Sequence, residues 1–319
     1  MQKPSLQNIA KIMACLIFSV ALCVSVLACF SVGNAKFELL CHFKMHYFIL
    51  SLMLLVISLF KRKPAWIVVA LSWFIFNTLP VIPYYLPVKP AETALHRKIK
   101  LMQLNVLLTN QSHDKVLALI QKEKPDIIGL EEFTFQWAAK LKPIEQEYPY
   151  HVIEPQNWAF GVALYSKFPL TDTHIKNFGP VLKNLPAKIP SIVTSFQLEK
   201  QPVTLIVTHP VPPTLFDLRN SELDGMGQAR SRFNKNLIIM GDLNSTQWSP
   251  YFQKLLQQTG LRDSQLGFGV QPSWQSTDWL LRIPIDHILI SPNIAVLNRY
   301  IGPSIDSDHL PVFAEIALK

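Results

Sequence analysis

Cysteine, glycine and charged side chains are all scarce in this 319-residue chain, and each shortage excludes a class of protein. The four cysteines lie within the first 41 residues, mostly in apolar runs, so they indicate neither a disulfide framework nor a zinc site. The 11 glycines show no three-residue period, which excludes collagen-like and glycine-rich low-complexity chains. Charged residues make up 16% and mean hydropathy is +0.21, which argues against a disordered chain and against an ordinary cytosolic protein.

The net charge of +8 is distributed unevenly along the chain. Residues 1–88 carry seven basic side chains and one acidic one, whereas the remaining 231 residues carry 23 basic and 21 acidic groups. The positive charge therefore flanks hydrophobic segments. The rest of the chain, at +2, gives no argument for a surface that binds polyanions.

Three long apolar runs precede residue 89 and predict a membrane anchor over residues 1–88. Residues 12–32 contain no charged side chain and match the length of about 20 residues that a transmembrane helix needs. Residues 45–60 and 64–86 are predicted as the second and third spans, so that residues 12–86 contact the lipid bilayer. The prolines that follow Leu79 predict that the third helix ends near that residue.

Basic residues in the short loops set the orientation of these spans. Lys3 and Lys11 precede the first run, and Lys61, Arg62 and Lys63 separate the second from the third, which favours a cytoplasmic location for both segments. Three spans then place the chain beyond Val88 on the extracytoplasmic side, and one miscounted span would invert that side. A cleaved signal peptide at residues 1–33 is the alternative reading of the first run.

After a linker at residues 89–97, the sequence predicts a layered α/β domain over residues 98–319. Strands outnumber helices and many follow one another, which favours two packed, mainly antiparallel sheets flanked by helices. No nucleotide-binding glycine motif and no internal repeat is present. The predicted strands span residues 98–108, 126–130, 151–153, 161–165, 174–178, 191–198, 203–208, 237–240, 285–290, 296–301 and 312–317, and the predicted helices span 112–122, 135–146, 216–233 and 250–258.

Polar side chains stand at the ends of six apolar segments in this domain. They are Asn105, Glu132, His209, Asp242 with Asn244, Asp286, and Asp308 with His309. Each alone is most simply a turn former, a surface charge or a loop histidine. Together they favour a site, because rigid scaffolds display reactive groups at strand ends and in the adjoining loops. Carboxylates and amides suit a hard cation such as Mg²⁺, and histidines suit proton transfer or charge stabilisation.

These segments resemble, in order and spacing, the motif series of the endonuclease/exonuclease/phosphatase superfamily, the DNase I-like fold. The resemblance covers residues 98–318, and it rests on Asn105, residues 125–132, 208–209, 241–245, 285–288 and 307–311, with Trp274 as a further similarity. Gly-Asp-Leu-Asn-Ser at 241–245 and Ser-Asp-His at 307–309 are specific as a pair. The segment His-Pro-Val-Pro-Pro at 209–213 is similar to membrane-anchored bacterial members, so the expected location is a bacterial inner (plasma) membrane, with several spans.

The resemblance implies a four-layer α/β sandwich and hydrolysis of a phosphate ester that depends on a divalent metal, Mg²⁺ or alternatively Mn²⁺. It implies that Glu132 is the principal metal carboxylate, that Asn105 lies beside it as a ligand or supporting group, and that Asp308 supports the metal site. The family usually has glutamine where this chain has Glu131. The choice between Glu131 and Glu132 as the ligand therefore stays open, and alignment with Leu130 favours Glu132.

For the catalytic residues, the resemblance implies that Asp242 orients or deprotonates the attacking water and that Asn244 holds a phosphate oxygen. His309, oriented by Asp286, would contact the scissile phosphate. His209 would stabilise charge on the phosphoryl oxygens or assist the leaving group. Such roles agree with the chemistry of phosphate esters, whose negative oxygens shield phosphorus until nearby positive charge lowers the barrier.

The sequence leaves the substrate open between nucleic acid and a lipid head group, because superfamily members cut DNA, RNA, phosphoinositides, sphingomyelin and small phosphoesters. Endonuclease and exonuclease activity are not distinguished, and no protein partner can be inferred. The alternative function is a catalytically inactive, membrane-tethered binding or scaffold protein on the same fold. The presence of every principal polar position favours an enzyme.

Overall fold

The computed structural model describes residues 6–31, 35–88, 97–180 and 189–319. The chain forms two compact units. One comprises the residues up to Leu86 together with Trp248–Pro250, and the other comprises Pro87–Gln247 and Tyr251–Lys319. The predicted linker at 89–97 lies outside the described residues except for Arg97.

The first unit is helical. Its helices are α1 (Leu6–Leu27), α2 (Ala35–Cys41), α3 (Lys44–Phe60) and α4 (Pro64–Thr78), with 3-10 turns at Ala28–Phe30 and Ile82–Tyr84. Proline at the first position of α4 suits a helix start, and the prolines beyond Thr78 account for its end near Leu79.

The first apolar run forms a longer helix than the other two runs. Among residues 6–31 and 35–88, only Leu6–Phe30, at 25 residues, is long and apolar enough to cross a bilayer. The second and third predicted spans form apolar helices of 17 and 15 residues. The first predicted span began at residue 12, whereas the helix already begins at Leu6, because the more polar turn before it is also helical.

Within its described residues, the second unit contains two sheets and four α-helices. In chain order, the strands and helices are β1 (Ile99–Asn105), α5 (His113–Glu123), β2 (Ile127–Glu131), α6 (Phe135–Leu141), β3 (Tyr150–Glu154), β4 (Val162–Ser166), β5 (Thr171–Lys176), β6 (Ser191–Leu198), β7 (Gln201–Thr208), α7 (Phe216–Gln228), β8 (Asn236–Asp242), α8 (Pro250–Thr259), β9 (Arg262–Asp263), β10 (Asp286–Ile290), β11 (Ile294–Ile301) and β12 (Val312–Leu318). One six-stranded sheet has the order β11-β12-β1-β2-β4-β3 and the other β5-β6-β7-β8-β10-β9.

Successive side chains on a strand point to opposite faces of its sheet. Each sheet therefore packs against the other sheet on one face and against helices on the other, which gives four layers. Leu101 on β1 and Met240 on β8 belong to the core between the two sheets. Leu104, on the opposite face of β1, packs in the cluster that includes Trp137 of α6. Phe252 of α8 packs in a third cluster, on the outer face of the second sheet. The fold is therefore the predicted α/β sandwich of two sheets flanked by helices, and both sheets are mixed because β1–β2 and β7–β8 run parallel.

Several predicted element boundaries are wrong for local reasons. The helix predicted over 135–146 ends at Leu141 and continues as a 3-10 turn, because Pro143 cannot donate the next α-helical hydrogen bond. The helix predicted over 216–233 ends at Gln228, before a 3-10 turn at Arg230–Arg232. Strand β5 lies a few residues earlier than predicted, and the two-residue strand β9 is too short to give a periodic signal.

The topology brings many strand ends to one edge of the sandwich. Strands β1, β2, β7 and β8 end there, because each sheet contains one parallel pair and the two sheets pack face to face. Strand β10 is antiparallel to β8 and β12 is antiparallel to β1, so both begin at the same edge. The loop between β3 and β4 also lies there, since β4 is antiparallel to β2. We refer to this edge as the site edge.

Candidate active site

Asn105 joins the two sheets at the site edge. Its amide Nδ2 donates to Glu132 Oε1 at 3.1 Å and to Asp242 Oδ2 at 3.3 Å. Glu132 follows β2 in one sheet and Asp242 ends β8 in the other. The amide therefore holds two carboxylates of different sheets within reach of a common ligand. Oε2 of Glu132 accepts a hydrogen bond from the backbone N–H of Leu108 at 2.9 Å, which fixes the carboxylate plane.

The backbone at Glu132 and Asn244 is left-handed, with φ of +55° and +49°. Such values are uncommon for residues with a side chain, and they cluster at functional sites, where the surrounding structure imposes them. Gly241 precedes Asp242 with φ of +153°, and a Cβ at this position would lie 1.9 Å from the carbonyl oxygen of Thr208. Only glycine therefore lets β8 approach the end of β7 closely enough to place Asp242 beside His209.

Two buried histidines flank the carboxylate of Asp242. His209 Nε2 lies 3.3 Å and His309 Nε2 lies 3.6 Å from Asp242 Oδ2. The Nδ1 of His209 is 3.0 Å from the carbonyl of Ala159, so it carries a proton, because a carbonyl only accepts. The Nδ1 of His309 lies 2.9 Å from Asp286 Oδ2, which orients its ring.

Asn244 is positioned by its neighbours in the same loop. Its backbone N–H donates to Asp242 Oδ1 at 2.9 Å, and its side-chain Nδ2 donates to the carbonyl of Pro210 at 2.9 Å. The same Nδ2 lies 3.3 Å from His209 Nε2. The amide therefore borders both Asp242 and His209.

Gln103 and Glu131 form a second layer beneath these residues. Gln103 precedes Asn105 by two residues on β1, so both side chains point between the sheets. Its Nε2 donates to Glu131 Oε2 and to Asp286 Oδ1, each at 2.9 Å. Asp286 Oδ2 accepts from Ser273 Oγ as well as facing His309. The carboxylate that orients His309 is thus held from three directions.

Opposite charges at close range set the protonation states. Burial alone would lower the pKa of both histidines. The carboxylate of Asp242 nevertheless raises the pKa of His209 to about 9, and Asp286 with Asp242 raises that of His309 to about 10. Burial would raise the pKa of Asp242, but His309 and His209 lower it to about 2. At neutral pH the site therefore holds two imidazolium cations around one carboxylate.

The environment of Glu131 raises the pKa of its carboxyl group, whereas that of Asp242 lowers the pKa. Burial, together with the nearby Asp286 carboxylate, raises its pKa to about 8, against the partial compensation of His209. Its Oε1 accepts no hydrogen bond from any residue in the described ranges. In the absence of a cation, the carboxyl is therefore neutral at neutral pH.

In chelator-treated protein, Glu131→Gln is expected to raise the thermal midpoint at about pH 9 and to change it little at about pH 5. Between pH 4.5 and about 8 the folded protein keeps a proton on Glu131 that the unfolded chain has released, so stability falls as pH rises through that window. Glutamine has no such dependence. Above about pH 8, the thermal midpoint of Glu131→Gln should exceed that of the wild type by several degrees, at about 2–4 °C per kcal/mol. Thermal unfolding at the two pH values measures it, and an equal shift at both would contradict this electrostatic account.

The oxygen atoms at the site edge suit a divalent cation. Glu132 is partly exposed, and Asp242 and Asp308 contribute further carboxylate oxygens to the same cluster. Asp308 Oδ1 is buried yet accepts no hydrogen bond from the described residues, whereas its Oδ2 accepts from Trp274 Nε1 at 3.0 Å. A buried carboxylate oxygen without a donor is costly unless a cation neutralises it. The donor set therefore fits Mg²⁺ or Mn²⁺.

A second group of side chains also lies close enough together to be considered as a metal site. Ligand atoms of Asp242, Asp286 and His309 all lie within 4.8 Å of one another. The ring of His309 faces a carboxylate at each nitrogen, and its raised pKa keeps both nitrogens protonated. An imidazolium cannot ligate a metal. We therefore interpret this group as a charge network around His309.

All eight predicted site residues lie in one connected cluster. Direct contacts join Asn105, Glu132, His209, Asp242, Asn244, Asp286 and His309, and Asp308 Oδ1 lies 4.0 Å from His309 Nε2. The sequence-based reasoning missed Gln103 and Ser273, and it considered Glu131 only as an alternative ligand. The position of Gln103, two residues before Asn105 on an alternating strand, is the signal that would have found it.

Comparison with known proteins agrees with this geometry. Residues 102–309 match the model of the Endonuclease/Exonuclease/phosphatase family. No curated protein sequence matches the chain.

Solved structures resemble the second unit at low sequence identity. The TDP2 structure from D. rerio in complex with a single-strand DNA product has 15% identity and a TM-score of 0.57, with 69% of this chain and 98% of that chain covered. An endonuclease/exonuclease/phosphatase from Bacteroides vulgatus gives 16% identity and a TM-score of 0.58, with 70% and 100% covered. The human Nocturnin catalytic domain with a bound sulfate anion gives 16% identity and a TM-score of 0.57, with 73% and 100% covered.

The structural likenesses show a shared fold, and the family match extends from residue 102 in β1 to His309, across all eight predicted site residues. The chain therefore belongs to the endonuclease/exonuclease/phosphatase family and is a hydrolase that acts on phosphoric ester bonds.

Proposed function

We propose that the chain is a membrane-anchored phosphoesterase that depends on a divalent metal ion, with residues 98–319 as its catalytic domain. The observation that carries the proposal is the bridge at the site edge. Asn105 links Glu132 to Asp242, and two imidazolium groups face Asp242. This arrangement combines oxygen ligands for a cation with cationic donors for a phosphoryl group, which phosphate ester hydrolysis requires.

Glu132 would hold the metal ion, with Asn105 beside it and Asp308 in support. Asn105 directs its amide N–H toward the two carboxylates, and its Oδ1 accepts the backbone N–H of Leu107 at 3.0 Å. We therefore favour Asn105 as the residue that orients Glu132. When bound, a divalent cation would polarise a phosphoryl oxygen and the attacking water.

The chain's own residues would perform the other steps. Asp242 remains ionised and accepts a hydrogen bond from the attacking water, which directs a water lone pair at phosphorus. His309 Nε2–H donates to a phosphoryl oxygen as negative charge grows there, while Asp286 holds the ring. Asn244 donates its amide to another phosphoryl oxygen, and His209 Nε2–H neutralises charge on the leaving oxygen.

Membrane anchorage through residues 1–88, with 89–97 as linker, is supported by the surface of the first unit. Only 17% of the most apolar stretch of Leu6–Phe30 is buried, whereas the core helix of a soluble protein is mostly buried. Large apolar side chains such as Ile12, Val68 and Leu79 are also exposed. Helices α3 and α4 are shorter than a typical span, and with local thinning of the bilayer they would complete three spans. Three spans would place the catalytic domain on the extracytoplasmic side of the inner (plasma) membrane. A reporter fused after Val88 tests that side.

Nucleic acid and lipid head groups remain the two substrate classes of this proposal. The single-strand DNA product in the D. rerio TDP2 structure supports the first class by analogy. The near-neutral charge of residues 89–319, at +2, favours the second, because proteins that bind nucleic acid neutralise many phosphates.

The full chain, purified in detergent and freed of metal with a chelator, is expected to hydrolyse bis-p-nitrophenyl phosphate only after Mg²⁺ or Mn²⁺ is added back. Release of p-nitrophenolate measures the rate. The result follows because the oxygen-rich edge needs a cation before a phosphodiester can be activated.

An inactive scaffold predicts the opposite outcome. It would bind a phosphodiester without turnover at any metal concentration. Ca²⁺ at the same ionic strength serves as a control for non-specific screening, since it takes more ligands at longer distances than Mg²⁺.

A further inference from the structure

Exposed apolar side chains of the catalytic domain are concentrated at the site edge. Among the described residues from 97 to 319, eight large apolar side chains are exposed, and only Tyr150 and Ile175 lie on strands. The other six lie on segments that adjoin site residues. They are Phe135, Trp158, Leu215, Trp279, Leu280 and Leu281. We call these six residues the apolar collar.

Each part of the collar is connected to a site residue through a short segment. Phe135 begins α6, three residues after Glu132. Trp158 precedes Ala159, whose carbonyl faces Nδ1 of His209 at 3.0 Å. Leu215 follows Pro210, whose carbonyl accepts from the amide of Asn244.

Residues 279–281 are connected to the opposite side of the site, near His309. They belong to the loop of Trp274, whose indole N–H donates to Asp308 Oδ2 at 3.0 Å. In the same loop the backbone N–H of Ser276 donates to the carbonyl of Asp308 at 2.8 Å. Trp279 is the most exposed residue of the collar, at 77%. The two exposed tryptophans are therefore tied to different histidines of the site.

The collar segments carry almost no charge. Residues 133–135, 155–161, 210–215 and 275–285 contain one basic residue, Arg282, and one acidic residue, Asp278. The guanidinium of Arg282 donates to the backbone carbonyls of Gln275 and Ser276, so it is already engaged. These four segments thus offer a polyanionic strand one positive charge, that of Arg282, and Asp278 offsets it.

We propose that the apolar collar rests in the interfacial region of a lipid bilayer and that the substrate is a phospholipid whose phosphodiester enters the site from that surface. The proposal rests on the proposed phosphoesterase function and names its substrate class. Three of the six residues are leucines, which cannot stack on bases but gain free energy in lipid, and tryptophan favours the interface. The apolar helix Leu6–Phe30 of the same chain agrees with an enzyme held at a bilayer.

The reaction is hydrolysis of one P–O ester bond. The oxygen of water bonds to phosphorus, the ester oxygen leaves with the electron pair of the broken bond, and a proton from the water restores it to an alcohol. The products are an alcohol and a phosphomonoester, and no oxidant or further reactant is needed.

Lipid contact is measured on the full chain in phosphatidylcholine nanodiscs with brominated acyl chains, which quench tryptophan fluorescence. Trp158→Phe and Trp279→Phe are each expected to remove part of the quenched emission that the wild type shows relative to unbrominated nanodiscs. Trp137→Phe is the matched control, because that indole is buried in the core. An unchanged quenched component in both collar variants would overturn the proposal.

Catalysis is measured on vesicles of equal parts phosphatidylcholine, phosphatidylethanolamine and sphingomyelin, with bis-p-nitrophenyl phosphate as the soluble comparison. The double variant L280S/L281S is expected to lower the ratio of vesicle to soluble hydrolysis on the order of tenfold, because it removes two aliphatic anchors. Ile175→Ser, an exposed apolar residue on β5, is expected to leave the ratio unchanged.

The outcomes distinguish a failure of the phosphoesterase function from a failure of the phospholipid substrate proposal. No hydrolysis of the soluble diester by the wild type would refute the phosphoesterase function itself. Soluble hydrolysis without cleavage of any vesicle lipid would overturn the substrate proposal alone. Cleavage of a single-stranded oligonucleotide that depends on Trp158 and Trp279, but not on Leu280 and Leu281, would assign the aromatic residues to base stacking instead.

Discussion

Replacing His309 with alanine is expected to lower kcat/KM for bis-p-nitrophenyl phosphate by about 10³-fold, with most of the loss in kcat. The imidazolium is the cationic donor that Asp286 and Asp242 hold from both sides. In the proposed mechanism its charge acts on the phosphoryl oxygens mainly in the transition state, where negative charge increases, so its removal should affect turnover more than binding.

Steady-state kinetics of the full chain at saturating Mg²⁺ measures this loss. His174→Ala removes an exposed histidine on β5 and is expected to retain wild-type activity. The His309→Ala substitution leaves Asp242 and Asp286 without the cation between them. The thermal midpoint of the variant should therefore be measured to confirm that it is folded. Asp286→Asn, which keeps the shape of the carboxyl, should show an intermediate loss of kcat. Wild-type kcat in a folded His309→Ala protein would contradict the role of this residue.

Replacing Glu132 with glutamine is expected to raise the Mg²⁺ concentration for half-maximal activity by about 10²-fold and to lower kcat at saturating metal. Glutamine keeps the size of the side chain, and its carbonyl oxygen can still accept from Asn105 or Leu108. What it removes is the negative charge that, in the proposed function, attracts the cation. The effect should therefore appear in the metal titration more than in protein stability.

Glu131→Gln and Glu147→Gln provide the matched comparisons for this titration. Glu147 is exposed in the turn after α6, and its variant should titrate like the wild type. Glu131 is buried below the site and bonded to Gln103, so its variant should keep the wild-type midpoint for Mg²⁺. A shifted midpoint for the Glu131 variant with no shift for the Glu132 variant would identify Glu131 as the ligand.

The fold and the location of the site followed from local sequence signals. Apolar runs that end in a polar residue marked β1, β2, β7 and β8, and the order and spacing of these segments resembled one family. That resemblance is why Asn105 and Asp242, 137 residues apart, could be expected together. The roles of the individual site residues stay predictions.

Other features depended on tertiary structure that no local pattern reports. Gln103 looks like an ordinary polar residue in a strand, and only the packing of β10 against the other sheet places it against Asp286. The raised pKa of Glu131 comes from burial between the sheets, which the sequence pair Glu131-Glu132 does not reveal. The apolar collar collects residues from four separate segments, so no periodicity indicates it.

The most direct test of the active site is hydrolysis of bis-p-nitrophenyl phosphate by the full-length double variant D242N/H309A at saturating Mg²⁺, beside the wild type. Because the proposed mechanism has both residues act on the same phosphoryl group, the double variant is expected to lose about as much activity as its more severe single variant, and to fall close to the uncatalysed rate. A folded double variant that still turns over within about tenfold of the wild type would show that the site edge is not where phosphate esters are cleaved.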